Sequence, residues 1–392
     1  MEYTSTEKRN ARLQDLVALL LSVPRDNFDP FDIYRSTYDS AGHSIGVDIL
    51  IPRANPSCNP RPVLVRIHGG FLVGSSPVSK LHYTRYLAYT MCCLFQVTGS
   101  SLFPAWFSKW VLDWAEAQSA IIISPDYRLL PEVKGVDILR DIEAFWKWFH
   151  SDGPSRHLAS VGRHDITLNK NQLLLLGESA GKTKTRPRET DWRHILMYTI
   201  GGYLAIQSIL SGFARPTALV VLYPMIDMKA DHYTKEYSKP IVGVPNFPNK
   251  TIDDFLETLS TRTAISEADP PERLDLALAS VQTGRFLELL GDEPELFILD
   301  RIRGGKFASK SENQPVFPSF FLLHGDQDSA VPAEGSRRFL EILDKVDPAA
   351  KYRVAYQPGD HGFDAQATLE DEWLREGLDW VLSQWLVDTS KL

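Results

Sequence analysis

With 392 residues, 43% of them hydrophobic, and a formal net charge of −8, the chain is long enough to bury a large core and is neither fibrous nor disordered. The acidic balance is relieved only by the short basic run from Lys182 to Arg188, which excludes a polyanion-binding role and leaves nucleic acid out as a partner. Cys58, Cys92 and Cys93 are too few for a disulfide framework and lack metal-ligand spacing, so no metal or redox centre is expected.

The first segment, 1–31, carries an apolar stretch from Leu16 to Val23 that is too short to span a bilayer and is followed by no small-residue cleavage site. It reads as an amphipathic helical cap segment of a cytoplasmic protein. "DIYRSTYD" and "HSIGVDILIP" then alternate apolar and polar residues around Ser40-Ala41-Gly42, the pattern of an antiparallel hairpin. "PVLVRIHGG", "SAIIISPDYR", "NQLLLLGES", "TALVVLYP" and "PSFFLLHGD" are nearly continuous apolar runs, as strands buried on both faces of a parallel sheet require. Helical patterns such as "VDILRDIEAFWKWFH" and "GSRRFLEILDKV" separate several of them, so the fold class is α/β: a mostly parallel central sheet flanked by helices. Trp106, Trp110 and Trp114 share a helical spacing of four and read as core, with no membrane insertion expected. Between Pro224 and Pro315 the pattern turns to short amphipathic helices without a strand, an inserted cap, 224–315, within a single domain over 1–392.

Gly177-Glu178-Ser179-Ala180-Gly181 follows a buried strand. A nucleophilic serine needs such a tight strand-to-helix turn to project its hydroxyl, and small neighbours tolerate the crowded backbone. Asp328 follows the strand of "LLHGDQ" and His361 follows the next one, in "YQPGDHGFD". Ser179 as nucleophile, Asp328 as acid and His361 as base stand in the chain order of the α/β-hydrolase arrangement. Asp326 and Asp360 compete for the acid's role, although Asp360 is adjacent to His361 and poorly placed to reach its ring. "RIHGGF" supplies backbone donors for an oxyanion, with Gly69, Gly70, Phe71 and Ala180 as candidates.

In this order and spacing, "HGGF", "PDYRLLPE", "GESAG", "HGDQDSAVP" and "DHGFD" resemble the hormone-sensitive-lipase-like branch of the α/β-hydrolases, the fold-3 carboxylesterases. The resemblance runs from about Asp32 onward. It implies the α/β-hydrolase fold with a helical cap, a small-molecule ester as substrate, and no cofactor. It departs at Phe71, where the family usually has glycine, a tolerable change because the donors are main-chain amides. Asp126 and Arg128 are expected to brace the loop behind the nucleophile. The alternative is a catalytically impaired or ligand-binding member of the same fold.

Two segments, 73–96 and 182–201, interrupt the family pattern. Excising the second joins "GESAG" to "GYLAIQSIL"; excising the first joins "HGGFL" to "VTGSSLFPAWF". Both have the look of translated introns: Gly181-Lys182 can be encoded with a GUAAG donor, Val73 can begin with GU, and Ile200-Gly201 and Gln96 can supply AG acceptors. They adjoin both arms of the oxyanion hole. A segment placed directly after Gly181 is expected to remove the helix that orients the Ala180 amide and favours an anion.

Overall fold

A computed structural model describes residues 4–54, 59–69, 100–178, 200–268, 273–307 and 315–387. Its centre is an eight-stranded sheet in the order β1-β2-β4-β3-β5-β6-β7-β8. β1 (Phe31–Ser40) and β2 (His43–Pro52) form the expected hairpin, with Ser40 opposite His43. The turn residues Ala41 and Gly42 take φ of 48° and 82°, the pair of positive values that a two-residue hairpin needs. β2 is antiparallel to β4 (Ile121–Pro125). From there β3 (Arg61–Ile67), β5 (Leu168–Gly177), β6 (Ala218–Leu222), β7 (Ser319–Gly325) and β8 (Tyr352–Gln357) are all parallel to their neighbours.

The continuous apolar runs are explained by burial on both faces. Val63, Val65, Ile121, Ile123, Leu173, Leu175, Leu219 and Val221 point into one core. Their chain neighbours Leu64, Ile122, Leu174, Leu176 and Val220 point into the other. α1 (Ser5–Leu20) covers the first core with Leu16, Val17 and Leu20 and starts on a capping box between Thr4 and Glu7. α2 (Lys109–Ala117) packs on the second core. α3 (Gly135–His150) lies on the first core, followed by α4 (Gly153–Ser160). α5 (Gly201–Leu210), entirely buried, lies directly against β5.

Between β6 and β7 the described residues hold only short helices: α6 (Asp231–Thr234), α7 (Lys250–Leu256), α8 (Leu274–Gln282), α9 (Phe286–Leu290) and α10 (Ile298–Arg303). Two ion pairs fasten this region to the sheet. Arg273 meets Glu132 through two hydrogen bonds of 2.8 and 2.5 Å, and Arg35 of β1 reaches Glu267 at 2.8 Å. The Leu129 amide also donates to Ile265 O at 2.9 Å. α11 (Glu334–Val346) and α12 (Glu372–Trp385) complete the layers. Trp106, Trp110 and Trp114 are all buried, but Trp106 ends a 3₁₀ turn that begins at Pro104; only the other two share a helix. Among the described residues, no helix is long and apolar enough to cross a membrane.

Candidate active site

The parallel strands β3, β5, β7 and β8 all deliver their next residues to the same edge of the sheet, where open α/β sheets build their sites. β7 ends at Gly325 and turns through Asp328; β8 ends at Gln357 and leads into His361. The structure brings these two together: His361 Nδ1 lies 2.6 Å from Asp328 Oδ2, and both side chains are fully buried.

The other oxygen, Asp328 Oδ1, accepts the backbone amides of Ala330 (2.9 Å) and Val331 (2.7 Å). Burial works against the charge on Asp328, yet the facing His361 and hydrogen bonds from His324 and His361 outweigh it and hold the carboxyl well below the usual range. His324 is oriented in turn: its Nε2 donates to Val331 O at 2.7 Å, and its Nδ1 accepts from Ser336 Oγ at 2.9 Å. The competing acids are occupied elsewhere. Asp326 pairs with Arg337 at 2.6 Å. Asp360 accepts from the His361 amide (2.8 Å) and from the Ser329 amide (2.7 Å), so it holds the loop while leaving the ring to Asp328. Gly325 makes that approach possible, since a Cβ there would come within 2.6 Å of Gly359 O and 2.8 Å of Asp360 O.

On the side that leads to Ser179, β5 ends at Gly177 and Glu178 is fully buried. Glu178 Oε1 accepts from Arg66 Nη2 (2.9 Å) and from the Ser108 amide (3.1 Å). Burial pushes the Glu178 carboxyl up, and Arg66 opposes that shift. Arg66 is itself fully buried; it donates to Ser101 O and Ser124 Oγ and lies 3.7 Å from the centre of the Phe107 ring. One ion pair therefore joins β3, two residues before His68, to β5, one residue before Ser179.

Ser179, Gly70, Phe71, Ala180 and Gly181 lie outside the described residues, as do 73–96 and 182–199. What flanks them is defined. α5 begins at Gly201, and a Cβ on Gly201 would come within 2.3 Å of Ile67 O, 2.4 Å of Glu178 O and 2.8 Å of His68 O. By standard bond lengths this puts the Cα atoms of Glu178 and Gly201 within roughly 6.5 Å, inside the span of a single four-residue turn. A Cβ on Gly177 would likewise meet Gly201 O at 2.4 Å. The helix expected to be lost is thus retained, with Gly201 as its first residue and its N-terminus docked where β3 and β5 end. It is kept because Gly201 and Gly202 carry no side chain to block that approach.

Gly69 is the last described residue of the segment expected to supply oxyanion donors. The preceding backbone is braced by Tyr127, whose hydroxyl donates to His68 O at 3.0 Å and whose ring stacks on His68 at 4.6 Å. Asp126 Oδ1 accepts the Ser101 amide at 3.0 Å and sits 3.5 Å from His68 Nε2. The Arg128 guanidinium is taken up by Asp141 of α3 at 2.7 Å, which fixes that helix to the segment after β4; the loop behind Ser179 lies outside the described residues.

Superposition on solved structures decides the fold. A thermostable esterase from Pseudomonas putida ECU1011 matches with a TM-score of 0.52 at 12% identity, covering 99% of this chain and 93% of that one. A protein of unknown function from Staphylococcus aureus matches with a TM-score of 0.52 at 14% identity, covering 91% and 100%. The chain has the α/β-hydrolase fold. No family model matches the chain. It is 27% identical over 351 residues to a Phoma protein named "Probable carboxylesterase M8", an alignment covering 88% of this chain and 92% of that relative. It is 28% identical over 221 residues to "Probable carboxylesterase clz11" of Cochliobolus lunatus, covering 54% of this chain and 86% of that relative.

Sequence reasoning missed residues that surround the Asp328–His361 pair. Tyr223, at the end of β6, has φ of 35°, an unusual value for a bulky residue, and its ring lies 4.4 Å from that of His361. Its hydroxyl donates to Asp364 Oδ1 at 2.7 Å. Only the tripeptide Leu222-Tyr223-Pro224, closing an apolar run at the same sheet edge, could have drawn attention to it.

Proposed function

We propose that the protein is a serine carboxylic ester hydrolase acting on small to medium esters through an acyl-Ser179 intermediate. The observation that carries this reading is the buried 2.6 Å contact between His361 Nδ1 and Asp328 Oδ2, at the sheet edge where β5 also ends. With a proton on Nδ1 donated to Asp328, Nε2 keeps its lone pair and is the ring's base. His361 takes the Ser179 proton as Oγ bonds to the ester carbon. The tetrahedral oxyanion is held by main-chain amides of Gly69 to Phe71 and Ala180. Collapse breaks the bond to the alcohol oxygen, which receives the proton from His361; water then repeats the sequence and releases the acid. The cap, 224–315, encloses the acyl pocket. The names of the two relatives and the order of the site residues support the same chemistry.

The reading extends to the interruptions: the chain lacking 73–96 and 182–201 is the competent hydrolase. Support comes from the flanks. The chain leaves at Glu178 and returns at Gly201 within the reach of one turn, and because Gly181 and Gly201 are both glycine, excising 181–200 or 182–201 yields the same polypeptide. At the other interruption, Ser101 is back beside β3: its carbonyl accepts from Arg66 of that strand at 3.0 Å and its amide donates to Asp126 Oδ1.

The test is p-nitrophenyl butyrate hydrolysis and fluorophosphonate labelling by both chains. Labelling abolished by Ser179→Ala is the expected result. A well-folded protein that neither labels nor hydrolyses in either form overturns the esterase reading. Equal turnover by both forms overturns the excision.

A further inference from the structure

Ser108 is the N-cap of α2, yet its side chain makes no capping hydrogen bond. A serine there ordinarily accepts an amide proton from the first turn of its own helix. Here Ser108 Oγ donates instead to Asp364 Oδ2 at 3.1 Å, while the Ser108 amide donates to Glu178 Oε1 at 3.1 Å. One buried residue thus holds a carboxylate from each side of the site: Glu178 precedes Ser179, and Asp364 lies three residues after His361.

Asp364 is fully buried and anchored by two further donors, Trp110 Nε1 at 2.8 Å and Tyr223 Oη at 2.7 Å. Together with Ser108, these come from α2 and from the end of β6. They fix the 3₁₀ turn Phe363–Gln366 that follows the histidine. The loop bearing His361 is therefore fastened on both flanks. Asp360 ties it to Ser329, next to the acid, and Asp364 ties it through Ser108 to the turn that bears the nucleophile. Two carboxylates buried about one serine, one on its hydroxyl and one on its amide, are costly to keep, as is a helix cap left unmade. Such costs persist where geometry is being held for another purpose.

We propose that Ser108 and Asp364 are positioning residues that set the register between His361 and Ser179, a role that rests on the esterase reading above. Neither touches substrate. Asp328 orients the imidazole about its own axis, whereas the Ser108–Asp364 link sets where the whole loop stands relative to the nucleophile's turn.

The test uses Ser108→Ala, Ser108→Thr and Asp364→Asn in the full 392-residue chain and in the chain lacking 73–96 and 182–201, with two readouts. The first is p-nitrophenyl butyrate turnover per fluorophosphonate-titrated site. Ser108→Ala lowers kcat about tenfold with KM within about twofold, and the hydroxyl of Ser108→Thr restores it; a merely structural role would lower the titrated fraction and leave kcat per site unchanged. The second is the downfield proton resonance of the His361–Asp328 hydrogen bond, assigned by its loss in His361→Ala. It broadens or disappears in Ser108→Ala and Asp364→Asn. Wild-type kcat per site in an active chain, or an unaltered resonance in both variants, overturns the inference. A resonance that responds in a chain that never hydrolyses esters sustains the positioning role and removes the esterase reading.

Discussion

Asp328→Asn tests the acid–base pair most sharply, because the structure dictates which way the new amide must face. Oδ1 accepts two backbone amides, from Ala330 and Val331, and Oδ2 faces His361. An asparagine with its NH₂ toward the two amides would leave buried donors unsatisfied, at about 1–3 kcal/mol each. Its carbonyl oxygen therefore stays with the amides and its NH₂ turns to His361. The imidazole can then only accept at Nδ1, which moves its proton to Nε2, the atom that must take the serine proton. By that argument kcat falls by about 10³–10⁴, or roughly 4–5.5 kcal/mol in the barrier, with KM little changed. Stability falls by only about 1–3 kcal/mol, since every hydrogen-bonding atom keeps a partner. The assay is p-nitrophenyl butyrate turnover per titrated site in whichever chain is active, with urea unfolding beside it. A folded variant within tenfold of wild-type kcat would refute the assignment of acid and base.

Three further outcomes follow from the geometry. Gly325→Ala drives a methyl group against two backbone oxygens that cannot swing away; stability drops by about 1–3 kcal/mol and kcat falls with it as the histidine loop is displaced, read by calorimetry and turnover. Asp48 is pushed up to about 6, chiefly by burial, with Arg35 opposing. Between its ordinary value and about 6 the folded protein binds the extra proton, so Asp48 lowers stability as pH rises through that window. In Asp48→Asn the slope of unfolding free energy against pH becomes more positive there by up to about 1.4 kcal/mol per unit, and parallel urea curves for the two proteins at pH 4.5, 5.5 and 7 would contradict this. Arg273→Ala strands the buried Glu132 carboxylate, costs about 3–5 kcal/mol, and loosens the cap. KM then rises more than kcat falls in the same ester assay; an unchanged KM would separate the clamp from the pocket.

The strands and the hairpin were legible because burial on one or two faces writes its own period into the residues, as at Leu173–Leu176 and Tyr34–Tyr38. Asp328 and His361 were legible because each closes a recognisable apolar run with a short polar loop. The Ser108–Asp364 link was not: its partners are separated by 256 residues, and neither residue type at its position announces a distant bond. Trp106 kept helical spacing with Trp110 but fell outside the helix, because Pro104 starts a separate 3₁₀ turn before it. Arg128 sits in the same motif as Asp126 yet turns to α3, a choice made by Asp141 some distance along the chain.

The position of β8 has a consequence for how the molecule fails. Among the described residues it is an edge strand, paired only with β7. Peeling it away leaves seven strands still bonded to one another and the end of β5 still between β3 and β6, but carries off His361, the imidazole 2.6 Å from Asp328. On the proposed mechanism, fraying at one margin would extinguish hydrolysis while most of the sheet endures, and a chain still being synthesised would carry Ser179 long before acquiring the imidazole proposed to arm it.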